Sequence, residues 1–255
     1  RWWINGFYIA IVFAFGYLFW YGGFGTYQGF GHWSSKGEHD QEAAIANAQL
    51  EKTFAPYKGQ AIDVLAQNPQ ALKLGKSIFA NTCSTCHGSS AKGAVGYPNL
   101  TDQIWHWGGS PEQILHTVLN GREGVMPAWG KTLQGMGGPD AVDYVIAYVH
   151  QLGDKDAGAR NDYAAARGKT LYEGICVACH GKDGKGDQKV GAPDLTDSYW
   201  MYGDSREALR ETISNGRHGV MPAWGTVLGD TRSRLVAAYV WWLSHSSKPD
   251  TQSTQ

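Results

Sequence analysis

Cys83-Ser84-Thr85-Cys86-His87 and Cys176-Val177-Ala178-Cys179-His180 repeat one signature, Cys-x-x-Cys-His, and together use all four cysteines of the chain. Two thiols one helical turn apart can reach the two vinyl groups of a single porphyrin as thioethers, and the next residue then lies beneath the iron as its imidazole ligand. A thioredoxin-like redox pair needs no following histidine, and a zinc site places its second ligand pair nearby. Two complete pentapeptides point instead to two covalently bound haem c groups, with His87 and His180 as iron ligands. No cysteine is left for a disulfide.

A second iron ligand is expected further along each repeat. Gly124-Val125-Met126-Pro127-Ala128-Trp129 recurs as Gly219-Val220-Met221-Pro222-Ala223-Trp224, and Asn-Gly-Arg precedes both, at 120–122 and 215–217. Thioether sulfur is a soft ligand that favours Fe(II), so His/Met coordination raises the reduction potential and suits an electron carrier. Met126 and Met221 are therefore the expected iron ligands. Met136 and Met201 have no methionine counterpart and default to packing. Whether each methionine serves its own repeat or the other stays open. Bis-His coordination through His106, His116 or His218 is the alternative at one iron.

Between histidine and methionine lies a third shared element, Gly96-Tyr97-Pro98-Asn99-Leu100 and Gly191-Ala192-Pro193-Asp194-Leu195. A ligating imidazole usually donates its other ring N–H to an acceptor that fixes its orientation. The backbone carbonyls of Pro98 and Pro193 are the expected acceptors for His87 and His180.

These loops must be held by helices. Gly75-Lys76-Ser77-Ile78-Phe79 and Gly168-Lys169-Thr170-Leu171-Tyr172 precede the haem motifs with an aromatic one turn before the first cysteine. Apolar stripes at helical spacing follow the methionines: Val142, Val145, Tyr148, Val149 and Leu152, then Leu235, Val236, Tyr239, Val240 and Leu243. Each repeat reads helix, haem loop, Pro loop, helix, Met loop, helix, with no alternating strand. At about 80 to 90 residues, such a unit has a marginal core unless a buried porphyrin completes it. The fold class expected is all-α: one N-terminal transmembrane helix, then two tandem class I cytochrome c domains.

The boundaries follow: 1–35 anchor, 36–66 juxtamembrane helix and linker, 67–152 first cytochrome domain, 153–162 polar linker, 163–247 second cytochrome domain, and 248–255 polar tail. Residues 2–24 are almost purely apolar, and no charge occurs between Arg1 and Lys36. That stretch is long enough to cross a hydrocarbon core of about 30 Å. Trp2 and Trp3 at one end, and Trp20, Tyr21 and Tyr27 at the other, resemble an interfacial aromatic belt in contact with membrane lipid. A signal peptide would have a shorter apolar core and a small-residue cleavage site. Because c-type haem is attached outside the cytoplasmic membrane, everything beyond Lys36 is expected in the periplasm, with the anchor in the inner membrane. The missing Met at position 1 points to further sequence before Arg1, with room for another membrane segment. The formal net charge of −1 gives no argument for nucleic acid binding.

One anchor followed by tandem Gly-Val-Met-Pro-Ala-Trp loops, together with Arg1-Trp2-Trp3 and Trp105-His106-Trp107-Gly108-Gly109, resembles the dihaem subunit III (CcoP/FixP) family of cbb3-type cytochrome c oxidases. The resemblance covers essentially the whole chain. It implies electron relay from a donor cytochrome c, through the two haems and a monohaem cytochrome subunit, toward an oxidase catalytic subunit that reduces oxygen and pumps protons. The chain itself would have no active site. Two other readings remain: a cytochrome c4-like carrier of another respiratory chain or periplasmic dehydrogenase, and a dihaem peroxidase, which would need an iron able to open a coordination position.

Overall fold

The computed structural model describes residues 1–23, 25–153 and 163–246 and divides into two units, one ending at Pro56 and one starting at Tyr57. In the first, helix α1 (Trp2–Tyr21) is apolar, with none of its side chains buried. Its 20 residues reach about 30 Å. It ends where Gly22 takes a left-handed backbone (φ 71°), and the chain doubles back so that the Gly31 N–H reaches the Trp20 carbonyl (2.9 Å). Helix α2 (Ser35–Phe54) starts at Ser34, whose hydroxyl accepts from the Gly37 N–H (3.0 Å). A helix therefore occupies most of the stretch between the apolar segment and the haem motifs, with none of its residues buried.

The second unit contains, in order, α3 (Ile62–Ala66), α4 (Pro69–Thr82), the single turn α5 (Ser84–His87), α6 (Pro111–Asn120), strand β1 (Arg122–Met126), α7 (Gly130–Gly137), α8 (Ala141–Gly153), α9 (Tyr163–Ile175), the turn α10 (Val177–His180), α11 (Arg206–Asn215), strand β2 (Arg217–Met221) and α12 (Gly225–Ser246). Of the expected linker, Gly153 is the last residue of α8 and 154–162 lie outside the described residues, as does the tail 248–255. The molecule is mostly helical, as the apolar periodicities require. The exception is the antiparallel ribbon of β1 and β2, centred on Gly124 opposite Gly219. Its segments, Arg-Glu-Gly-Val-Met and Arg-His-Gly-Val-Met, carry no apolar alternation, and none of their side chains is fully buried.

The two packing bodies do not coincide with the two sequence repeats. Helix α4, which opens the first repeat, packs on α12, which closes the second; α3 and α6 pack on α12 as well. Conversely α9, which opens the second repeat, packs on α8, which closes the first, with α7 and α11 beside them. The chain therefore builds one body from α3 to α6, crosses on β1, builds the whole second body from α7 to α11, and returns on β2 to finish the first with α12.

Both crossings use one device. A Cβ on Gly75 would stand 2.3 Å from the Leu235 carbonyl oxygen, and one on Gly168 would stand 1.8 Å from that of Tyr144. Only glycine lets the helices approach so closely. One turn on, Phe79 meets Tyr239 edge-on at 5.6 Å and Tyr172 meets Tyr148 at 5.2 Å. The body around α8 and α9 buries Leu133, Val145, Ile146, Leu171, Tyr172 and Ile213 in one cluster. Helix α12 is bent at Gly229 (φ 71°). There the Arg232 side chain donates to the Leu228 and Val227 carbonyls freed by the bend (2.6 and 3.1 Å).

Candidate haem centres

Each haem motif continues directly from a helix. The Cys83 N–H still bonds the Phe79 carbonyl and the Cys176 N–H that of Tyr172, both at 2.8 Å. One further turn then carries the second cysteine and the histidine: His87 N–H to Cys83 O is 3.0 Å, and His180 N–H to Cys176 O is 2.9 Å. Gly88 and Gly181 (φ 76° and 75°) end those turns. All four thiols are free. Burial, reinforced by the neighbouring thiols of Cys86 and Cys179, pushes Cys83 and Cys176 up to about 11.

The histidines are buried, each 8% exposed. Nδ1 of His87 lies 3.1 Å from the Pro98 carbonyl oxygen, and Nδ1 of His180 lies 3.2 Å from that of Pro193. A carbonyl can only accept, so Nδ1 carries the hydrogen and Nε2 keeps its lone pair. Burial lowers both imidazole pKa values against the opposing pull of these carbonyls, which favours the neutral ring. The Pro loops are seated by further glycines: Gly93 N–H bonds the His87 carbonyl and Gly186 N–H that of His180, both 2.9 Å. A Cβ on either glycine would lie 2.3 Å from a loop carbonyl, Tyr97 or Ala192. Two thiols on one turn beside a neutral, oriented imidazole are a donor set that fits a covalently held haem.

The methionine loops cross over. The Trp224 N–H bonds the Val118 carbonyl on α6 (3.0 Å), and the Trp129 N–H bonds the Ile213 carbonyl on α11 (2.9 Å). A Cβ on Gly121 would sit 2.4 Å from the Met221 carbonyl oxygen, and one on Gly216 would sit 2.4 Å from that of Met126. Met221 thus belongs to the body that contains His87, and Met126 to the body that contains His180. The loops between the bodies interlock as well. The Tyr199 hydroxyl accepts from the Asn99 N–H (3.0 Å), Gln188 donates to the Trp105 carbonyl (2.9 Å), and the Gly96 N–H reaches the Met201 carbonyl (2.9 Å).

The other histidines are placed differently. His218 points away from the ribbon's covered face and meets Glu123 at 2.9 Å. His116 is exposed on α6. His106 is half-buried beside the Tyr199 ring at 6.0 Å, and burial lowers its pKa although Asp197 and Asp102 oppose the shift.

Sequence reasoning passed over Arg122, Arg217, Trp107 and Tyr202. Each arginine stands over one of these rings, Arg122 at 5.0 Å from Trp107 and Arg217 at 4.5 Å from Tyr202. The repeated Asn-Gly-Arg was the signal, legible as a recurrence but not as a site.

The family described as "Cytochrome C oxidase, cbb3-type, subunit III" matches residues 70–149 and 163–240. Among curated proteins, the chain is 40% identical to the cbb3-type cytochrome c oxidase subunit CcoP of Rubrivivax gelatinosus, across 97% of this chain and 79% of that one. It is 41% identical to subunit FixP of Bradyrhizobium sp. (strain ORS 278), across 94% and 87%. With subunit CcoP of Cereibacter sphaeroides the identity is 37%, across 94% and 87%.

Proposed function

Since the chain belongs to the subunit III family of cbb3-type cytochrome c oxidases, a cytochrome c family, we propose that it is a membrane-anchored dihaem electron relay. Electrons pass from a donor cytochrome c, through two haem c groups and a monohaem cytochrome subunit, toward the catalytic subunit. Residues 2–24 contact membrane lipid, and the cytochrome bodies face the periplasm. The observation that carries this reading is the pair of equivalent centres, each with two free thiols, a buried imidazole oriented by a proline carbonyl, and a methionine loop from the opposite repeat.

Haem c, when bound, supplies one-electron redox chemistry. Cys83 and Cys86 would hold one group, with His87 and Met221 as its iron ligands; Cys176 and Cys179 would hold the other, with His180 and Met126. The Pro98 and Pro193 carbonyls keep each imidazole from rotating and increase its basicity. The methionines favour the reduced state, which suits a carrier that must pass electrons on. The placement of His218 on the far face of the ribbon, tied to Glu123, supports methionine over that histidine. Because each body contains segments of both repeats, the two centres are held in one framework instead of swinging on a linker.

The test is purification of the tagged chain in mild detergent from its own membranes. Two covalent haems by mass measurement, together with copurifying haem-copper oxidase subunits, are expected. One haem, or copurification with a dehydrogenase instead, would overturn the assignment.

A further inference from the structure

Arg122 and Arg217 are half-buried, stand at equivalent ribbon positions and are held in the same way. Arg122 donates from Nε to the Thr117 hydroxyl (2.9 Å) and lies over Trp107; Arg217 donates from Nε to the Thr212 hydroxyl (3.0 Å) and lies over Tyr202. Each guanidinium is thereby fixed through Nε and one flat face. Among the described residues its two terminal nitrogens, the edge that matches a carboxylate in a bidentate fork, have no hydrogen-bond partner. Among the described residues neither arginine has an acidic partner, whereas Arg206 and Arg210 share Asp143, and Arg234 has Asp230. The neighbouring acid Glu123 lies on the other face of the ribbon with His218.

The register says what these edges face. Side chains alternate along a strand, so Arg122, Gly124 and Met126 share one face, and directly paired residues share it across the ribbon. Arg122 pairs with Met221, and Met126 with Arg217. Opposed side chains leave the backbone about 4.5–5.5 Å apart at Cβ. An iron ligand and a preoriented, unpaired guanidinium therefore stand side by side at both ends.

We propose that each arginine binds a propionate carboxylate of the haem served by the methionine opposite it: Arg122 for the haem attached at Cys83 and Cys86, Arg217 for the haem attached at Cys176 and Cys179. This rests on the crossed ligation proposed above. The clamp neutralises a propionate that would otherwise be half-buried and unpaired, and its positive charge favours Fe(II). The rings of Trp107 and Tyr202 hold the forks in place, so that one ribbon would supply each haem with both a methionine and a carboxylate clamp.

The test uses the full-length chain, with both haems in every arginine variant. A Cys83→Ala/Cys86→Ala chain, carrying only the second haem, identifies which wave of a redox titration belongs to which group. Arg122→Gln should lower the potential of the first haem alone and shift a propionate-bending band in its resonance Raman spectrum; Arg217→Gln should do the same to the second. Arg122→Lys, which keeps the charge but not the fork, should restore most of the potential without restoring the band. The proposal is overturned if Arg122→Gln lowers thermal stability but moves neither wave nor band, as a brace against Trp107 would. It is also overturned if only the salt dependence of electron uptake changes, as a docking residue for an acidic donor would, or if the second haem's wave moves instead. Met221→Ala checks the crossed ligation independently: should it act on the second haem while Arg122→Gln acts on the first, crossed ligation falls and the Arg122 contact stands.

Discussion

The tautomer of His87 is set by one backbone oxygen, that of Pro98, and so is the lone pair it offers to a metal. The same holds for His180 and Pro193. The methionine proposed as the opposite ligand is less constrained by its own repeat than by its partner's. Met221→Ala should therefore remove the sulfur-to-iron charge-transfer band of the haem bound at Cys83 and lower that group's potential, and Met126→Ala should act on the haem bound at Cys176. Titration of each variant beside the single-haem chain checks the assignment; effects confined to each methionine's own repeat would contradict it. A residue-scale difference between the centres is Asn99 against Asp194. Burial pushes the Asp194 carboxyl up, but hydrogen bonds from Thr196 and Lys185 outweigh it and hold the group below the usual range. A depressed carboxylate stabilises the fold above its unfolded value, and that stabilisation is lost as pH falls through the folded one. Denaturant unfolding of Asp194→Asn should thus show its full deficit above the ordinary aspartate value of about 3.9, with the gap to the unmodified chain closing in more acid solution.

At the scale of elements, the crossings α4 on α12 and α9 on α8 govern whether the bodies close. Gly75→Ala and Gly168→Ala each put a methyl group against a carbonyl, and overpacking of this kind costs about 1–3 kcal/mol. Gly168→Ala should be the worse, since its Cβ would come within 1.8 Å of a backbone oxygen against 2.3 Å at Gly75. Thermal melts followed by circular dichroism measure both. Because Gly168 lies on the second repeat's first helix and its obstacle on the first repeat's last one, the loss should weaken the centre of His180 and Met126 more than the other. The ribbon is the other element with a distinct role, for it carries the chain between bodies and places both methionines on one face.

At the scale of the molecule, exchange makes the two bodies unequal in connectivity. The body around α8 and α9 is a single stretch of chain, in which the closing helix of one repeat precedes the opening helix of the next. The body around α4 and α12 is completed only when the C-terminal helix returns. A chain truncated after Gly153 should keep a haem at Cys83 and Cys86 yet lack both α12 and Met221. It should show a high-spin spectrum, a weakly protected fold and no methionine charge-transfer band; a native-like low-spin spectrum would count against the exchange. Removal of residues 1–35 should act otherwise. A chain beginning at Lys36, exported behind a cleavable signal, should be soluble, hold two haems and exchange electrons with small cytochromes while assembling poorly into an oxidase. Partition with membranes in the absence of other subunits would refute that division of labour.

How much could be foreseen depends on whether the determinant is local. Cys-x-x-Cys-His needs one helical turn, the apolar stripes need only helical periodicity, and residues 2–24 need only length and apolarity, so the sequence by itself determined the haem motifs, the helical class and the apolar N-terminal helix. Repetition in register was enough to pick out Pro98, Pro193, Met126 and Met221 as candidates. Which methionine loop lies in which body was decided by tertiary structure alone. Two repeats built on the same motifs offer similar helix faces, so Gly75 could in principle meet Tyr148 or Tyr239, and no local pattern distinguishes the closures. The β ribbon escaped notice for the same reason, since its strands are stabilised by each other across the molecule and not by their own alternation. Arg122 and Arg217 acquire meaning only there, where pairing sets each beside the methionine of the other repeat.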